Sequence, residues 1–426
     1  MQALTLSIII YIFCMYNRNR RPVGPRRFGS SGSSKFGSGG SRFRQFSQGR
    51  GRYGNKFVSF DMVQRYIERA SAKTNSLVTV DEETRLFSIL PLQSRLKENI
   101  KARGYEKMTP IQDKVIPQIL ENRDVIGIAN TGTGKTGAFL IPIIERIAKD
   151  SSYKALIIVP TRELAIQIRD ELALFSANMS IYSTVCIGKS SMYSQKQQLR
   201  RHPHVVIGTP GRLKDLIERR DLNLSMFRIV VLDEVDRMLD MGFVDDVRHI
   251  IGFLPPVRQS LFFSATVSTQ INSLIQSFVK NPVSISVKNQ ETTNHIEQKV
   301  MRASNEGAKV ELLHSLLAKE EFSKVLVFGR TKRNVDKLTK ALFDKGYKTA
   351  SIHGDKPQAN RQRAIQMFKQ DEVKILIATD VAARGLDIAN ITHVINFDAP
   401  ETFEDYVHRI GRTGRADKLG IAVTFV

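Results

Sequence analysis

Apolar runs of strand length alternate along this chain with segments whose apolar positions recur at helical spacing. From Phe87 onward the pattern reads 125–128 (Val-Ile-Gly-Ile) then 137–147, 155–159 then 163–175, 205–208 then 212–217, 229–232, and 260–263 then 271–279. Short apolar strands separated by amphipathic helices predict βαβ units and a parallel sheet covered on both faces. Residues 281–305 are polar and rich in turn formers, so an interdomain linker is expected there, centred on 285–296. The alternation then restarts at 324–328, 335–343, 349–352, 364–368, 374–378, 393–397 and 403–410, and a last strand is expected over 420–426. The expected fold class is α/β, with two tandem parallel-sheet domains over 114–284 and 297–426. Upstream, Phe60, Val63 and Ile67 stand at helical spacing and predict a short helix within an extension covering 57–84.

Composition adds a different kind of segment in front of these domains. The chain has 426 residues, 42% hydrophobic, enough for two ordinary α/β cores. Its formal net charge of +22 favours a polyanionic partner. Half of that charge sits in 17–56, a Gly-, Ser- and Arg-rich stretch with no Asp or Glu, which is expected to be disordered. Phe28, Phe36, Phe43, Phe46 and Tyr53 are interleaved with its basic residues, a pattern suited to stacking on bases between phosphate contacts. A merely solubilising tail would not need the rings, so nonspecific RNA binding is the expected role. Residues 3–16 form an apolar run too short to span a bilayer comfortably. Within the run 1–16 two readings stand: a signal anchor, or codons upstream of a true start at Met15, which fits the downstream chain better. Cys14 and Cys186 are too few and too far apart for a zinc site or a disulfide framework, which points to a reducing, cytoplasmic setting without stable membrane association.

The sharpest chemistry lies directly after the run 125–128, in Ala129-Asn130-Thr131-Gly132-Thr133-Gly134-Lys135-Thr136. Strand, glycine-rich loop, Gly-Lys-Thr and helix in this order make a phosphate cradle. Gly132 and Gly134 allow a tight turn whose N–H groups point at an anion, Lys135 supplies a charge for the β- and γ-phosphates, and the Thr136 hydroxyl is placed to hold Mg²⁺. A second acid and a water-positioning base are then required. Val230-Val231-Leu232-Asp233-Glu234-Val235-Asp236 ends an apolar strand in such acids, with Asp233 expected at Mg²⁺ and Glu234 as the base.

From Phe87 to its end the chain resembles the DEAD-box RNA helicases through many ordered motifs. Phe87, Gly104, Tyr105, Thr109, Pro110 and Gln112, within 85–113, resemble that family's adenine-reading element. The likeness implies that Gln112 bonds the adenine edge and that Phe87 packs on the ring of ATP. Pro160-Thr161-Arg162 and Thr209-Pro210-Gly211-Arg212 resemble RNA-backbone contacts of the first domain, and Gly188 belongs to another. Ser264-Ala265-Thr266 is similar to the element that couples ATP state to strand separation through Asp236. In the second domain His353-Gly354-Asp355, Gln358, Arg361 and Thr379 resemble RNA contacts, and Asp387 implies a ribose contact. The stretch from His408 to Arg415 resembles the arginine-bearing motif, which implies Arg412 and Arg415 as arginine fingers and His408 in the coupling. The likeness implies two RecA-like domains, ATP and Mg²⁺ as cofactors, and RNA as partner, with ribonucleoprotein or ribosomal partners compatible with it.

Two positions depart from the family. Val235 stands where its members carry alanine, and with all three acids kept hydrolysis is expected to survive. The paired glycines of the family read Gly188-Lys189 here, so Lys189 either adds a phosphate contact or crowds the backbone. An ATP-gated RNA clamp that separates no strands uses the same motifs, and a DNA-translocating helicase is disfavoured by the adenine-reading element and the acidic tetrapeptide.

Overall fold

The computed structural model describes residues 59–72, 84–130, 132–266, 268–276, 278–279, 281–287, 295–383, 388–414 and 418–426. The apolar run 1–16, the basic tail 17–56, Thr131, Asp387 and Arg415 lie outside them.

Among the described residues thirteen strands form two sheets. In the first lobe these are β1 (Val125–Ile128), β2 (Lys154–Ile158), β3 (Ser183–Cys186), β4 (Val205–Gly208), β5 (Phe227–Leu232), β6 (Gln259–Ser264) and β7 (Val283–Ser286). They lie in the order β3-β4-β2-β5-β6-β1-β7, every pair parallel. The second lobe holds β8 (Ile296–Met301), β9 (Val325–Phe328), β10 (Thr349–Ile352), β11 (Ile375–Ala378), β12 (His393–Asn396) and β13 (Gly420–Phe425). Their order is β10-β11-β9-β12-β13-β8, again all parallel.

Strand residues alternate between the faces of each sheet, and the cores follow that period. Ala155, Ile157, Val205, Ile207, Val231 and Phe263 join one apolar cluster of the first lobe, while Leu156, Ile158, Val206, Val230, Leu232 and Phe262 join the other. The second lobe divides the same way, with Val325, Val327, Ile375 and Ile377 on one face and Leu326, Phe328, Leu376 and Ala378 on the opposite one. Apolar residues on both pleats are what a sheet covered by helices on both sides requires.

The polar stretch 281–305 is not linker throughout. Its ends are strands β7 and β8, each on the edge of its own sheet. The helix expected near Phe60 is present as Phe60–Ala72, with the Ser59 hydroxyl accepting from the Met62 N–H at 3.3 Å. It packs on the second lobe, although the first lobe follows it in sequence.

Because all strands of the first sheet run the same way, their carboxyl ends lie along one edge, where an open α/β sheet binds ligands. The neighbours β5, β6 and β1 bring Asp233, Ser264 and the glycine loop side by side. The neighbours β3, β4 and β2 bring Gly188, Thr209 and Pro160 together on the other half.

Phe139, fully buried on the helix Lys135–Lys149 and 5.3 Å from the Phe263 ring, ties that helix to the sheet. Phe139→Ala is expected to lower the unfolding free energy by about 3–5 kcal/mol, measured by urea titration.

Candidate active site

The glycine loop is built by backbone conformation and by one glutamine. Gly132 and Gly134 have φ of 85° and 92°. A Cβ on Gly134 would stand 2.6 Å from Gln112 Nε2, so both the left-handed turn and the close approach require glycine. Thr109 and Gln112 form a capping box at the start of the helix Pro110–Leu120. Gln112 Oε1 accepts from the Thr109 N–H at 2.9 Å, and its Nε2 donates to the Gly134 carbonyl at 3.1 Å. The glutamine expected to read a base is thus also a brace for the phosphate loop. Lys135 is buried, and its Nζ donates to the Ala129 carbonyl at 2.7 Å. The Ala129 N–H in turn donates to the Ser264 carbonyl at 3.0 Å, fastening the loop to the end of β6.

The acids after β5 meet this loop. Asp233 is buried and accepts from the Glu234 N–H at 2.9 Å. Burial pushes its carboxyl up to about 7 against the opposing pull of Lys135. Glu234 sits at φ 55°, a left-handed conformation that costs a non-glycine residue about 1–2 kcal/mol. It is held by a buried ion pair with Arg237 at 3.0 Å. Asp236 Oδ2 accepts from the N–H groups of Ala265 and Thr266, both at 3.1 Å, and from the Thr266 hydroxyl at 3.3 Å. Ser264 Oγ closes the turn on the Thr266 carbonyl at 2.7 Å. Val235 is buried in the apolar cluster that holds Met238, Phe262 and Ile271.

A cavity of about 400 Å³ is lined by Gly132, Gly134, Lys135, Thr136, Asp233, Glu234, Tyr105, Lys369 and Arg412. Arg412 belongs to the second lobe, so the two lobes enclose one cavity. Thr136 and Asp233 suit Mg²⁺: a hydroxyl and a single carboxylate, with the remaining positions left to phosphate and water, match its oxygen chemistry. A divalent cation would also relieve a buried acid that burial pushes toward its neutral form.

The matched regions cover most of the chain. A DEAD/DEAH box helicase model matches residues 109–274, and a helicase conserved C-terminal domain model matches 308–417. The DEAD-box ATP-dependent RNA helicase CshA of Geobacillus kaustophilus is 47% identical over 80% of this chain and 73% of its own length. The ATP-dependent RNA helicase CshA of Limosilactobacillus reuteri is 45% identical over 80% and 69%. The chain belongs to the DEAD-box helicase family. Its two parallel-sheet lobes match S. cerevisiae Dbp5 bound to RNA and ADP BeF3, at 32% identity and a TM-score of 0.71, over 80% of this chain and 89% of that one. Mss116p bound to ssRNA and AMP-PNP matches with a TM-score of 0.74 at 30% identity, over 82% and 76%.

In this DEAD-box protein several of the motif residues also make contacts within the chain. Phe87 is buried behind Tyr105, ring centroids 6.2 Å apart. The ring lining that cavity is Tyr105, while Phe87 opens with Leu86 and Lys97 onto an adjoining groove that shares Tyr105. Gln358 and Arg361, expected on RNA, turn to the first lobe. Gln358 Nε2 donates to Glu163 Oε1 at 3.1 Å, and Arg361 pairs with Glu163 Oε2 at 2.7 Å, all three side chains buried. Arg162 Nη2 reaches the Gly354 carbonyl at 3.3 Å across the same seam. Among the described residues, Arg162 Nη1, Arg361 Nε and Gln358 Oε1 are buried without a hydrogen-bond partner.

The other motif residues lie near the strand ends. Thr161 caps the helix Arg162–Phe175, its hydroxyl accepting from Leu164 at 3.3 Å, and Pro160 precedes it. Arg212 donates to Gln195 at 2.9 Å and to the Ser190 carbonyl at 3.3 Å, placed by the first turn of the helix Pro210–Glu218, which Thr209 precedes. Gly188 is open to its surroundings, and Lys189 adopts φ 59°, a left-handed conformation that glycine would take more readily. Asp355 pairs with Lys332, which holds its carboxyl below the usual range, and Thr379 follows β11. His408 lies on the helix Phe403–Ile410, its carbonyl accepting from Arg412 Nε at 3.2 Å. Arg237 and Glu163 were missed as site residues. Spacing could have flagged Arg237, three residues after Glu234 at a helix start, and Glu163 directly follows Arg162 in its motif stretch.

Arg361→Met leaves Glu163 buried without its cation and is expected to cost about 3–5 kcal/mol in urea titration, with most of it recovered by adding Glu163→Leu.

Proposed function

We propose that the protein is an ATP-dependent RNA helicase that couples ATP turnover to local separation of short RNA duplexes or to ribonucleoprotein remodelling. The observation that carries this is the shared cavity: Lys135, Thr136, Asp233 and Glu234 from one lobe with Arg412 from the other. A γ-phosphate cradled by Lys135 and the loop N–H groups would meet Arg412 only when the lobes are together. Charge developing on that phosphate would then be neutralised by the guanidinium, a contribution of about 10³–10⁵ in rate for arginine fingers generally. Glu234, fixed by Arg237, is suited to orient the attacking water. Mg²⁺ held by Thr136 and Asp233 would supply neutralisation of phosphate charge. Gln112, together with the aromatic rings of Phe87 and Tyr105, is proposed to select the adenine, and Asp387 and Arg415 are proposed for the ribose and the phosphate.

The RNA path is proposed along the strand ends, over Pro160, Thr161, Arg162, Gly188, Thr209, Pro210, Gly211 and Arg212, and onto Gly354, Asp355, Gln358, Arg361 and Thr379. The spare donors of Arg162 and Arg361 at the lobe seam support a phosphate chain there. Such contacts grip sugar and phosphate, so sequence preference is expected to be weak. Asp236 links the acid strand to Ser264 and Thr266, and with His408 it is the proposed coupling between hydrolysis and grip. Ribosomal or other ribonucleoprotein partners and a cytoplasmic setting fit this reading. Among the described residues no helix is long and apolar enough to cross a membrane.

Steady-state ATPase with and without RNA tests the proposal: RNA should stimulate turnover, and a rate indifferent to RNA would end it. Lys135→Ala should abolish nucleotide binding, and Glu234→Gln should lower turnover by about a hundredfold or more while RNA remains bound. The buried seam at Glu163 favours a long-lived closed state and keeps the RNA-clamp reading alive. Slow RNA release with ATP and no unwinding of a short duplex would select it. Deleting 17–56 should weaken RNA affinity and flatten its salt dependence, with the RNA-free ATPase unchanged.

A further inference from the structure

The helix Phe60–Ala72 precedes the first lobe in sequence and lies upstream of both matched family regions, 109–274 and 308–417. Its buried stripe, Val63, Tyr66 and Ala70, joins Ile296, Phe403, Tyr406 and Ile410 in one apolar cluster of the second lobe. Tyr66 stands with its ring 5.9 Å from Phe403 and 5.8 Å from Tyr406, and its hydroxyl donates to the Glu401 carbonyl at 3.0 Å. Arg69 lies 4.1 Å over the Phe403 ring, and Arg302 lies 4.2 Å over Phe60. Tyr406 is further tied to Gln298 of β8 at 2.7 Å.

The element so covered is the helix Phe403–Ile410, only eight residues long. A helix this short is marginal alone, so packing on both of its sides decides where it sits. Its inner side is held by Arg409, which is bidentate to Asp380 at 2.5 and 2.8 Å and donates to the Asp398 carbonyl at 2.6 Å. Its outer side is held by Phe60–Ala72. The turn that leaves it carries Arg412 into the nucleotide cavity, with Nε bonded back to the His408 carbonyl at 3.2 Å.

We propose that Phe60–Ala72 is a clamp that sets the pose of Arg412, with Tyr66 and Val63 as positioning residues acting through Phe403 and Tyr406. An element ahead of the first lobe would then control turnover at a site completed by the second. This rests on the reading of Arg412 as the second lobe's contribution to ATP turnover.

The test is a double-variant comparison in the full chain, reading kcat and KM for ATP at saturating RNA. Tyr66→Ala should lower kcat about tenfold with KM changed less than about twofold, and Tyr66→Phe, which keeps the ring, should recover most of the rate. Tyr66→Ala combined with Arg412→Ala should be no slower than Arg412→Ala alone, because a clamp that works through Arg412 has nothing left to position. Multiplying losses in the combined variant, or an unchanged kcat for Tyr66→Ala beside a slow Arg412→Ala, would overturn the clamp. An unchanged rate for Arg412→Ala would instead overturn the site reading on which it rests. If Tyr66→Ala melts well below the parent by circular dichroism, Val63→Ala, a milder truncation, carries the same comparison.

Discussion

The carboxylate of Glu163 ties together the two halves of this molecule. It starts the helix after β2 and takes both Arg361 and Gln358 of the second lobe, with all three groups out of water. A buried pair of this kind adds little net stability, because desolvation offsets most of its attraction. What it enforces is geometry, since either partner left alone is a costly buried charge or dipole. The lobes therefore meet in one register, and that register puts Arg412 on the cavity of Lys135 and Glu234.

The cavity itself concentrates local costs. Glu234 takes left-handed backbone, Asp233 is an acid whose burial opposes its charge, and Arg237 is a guanidinium buried against Glu234. Each is unfavourable by itself, and the rigid strand ends of β1, β5 and β6 hold them in place. Strain and unpaired charge of this sort are affordable only where the scaffold over-determines them. They leave the site poised for a phosphate and a divalent cation, whose charges fit the loop and the acids.

Much of this was legible in the residues. The central strands announced themselves because strands covered on both faces carry consecutive apolar residues, and β1, β2, β4, β5, β6, β9, β11 and β12 each hold such a run. The three strands that the pattern did not reveal, β3, β7 and β8, are all at sheet edges, where half of each strand faces water and polar residues dilute the apolar signal. The helix near Phe60 was visible as a periodic stripe, but nothing along the chain said that the stripe would be covered by Phe403 and Tyr406, more than three hundred residues away.

The order of residues by itself determined the two α/β lobes, the glycine loop with its lysine and threonine, and the acids that end β5, because those features are written in contiguous spacing and backbone freedom. Only the tertiary structure decided that Tyr105 lines the cavity in front of Phe87, that Gln112 braces Gly134, and that Gln358 and Arg361 close onto Glu163. Those assignments turn on distances between side chains far apart in sequence. Such distances are settled by how helices pack across the sheets and how one lobe meets the other, which no local pattern records.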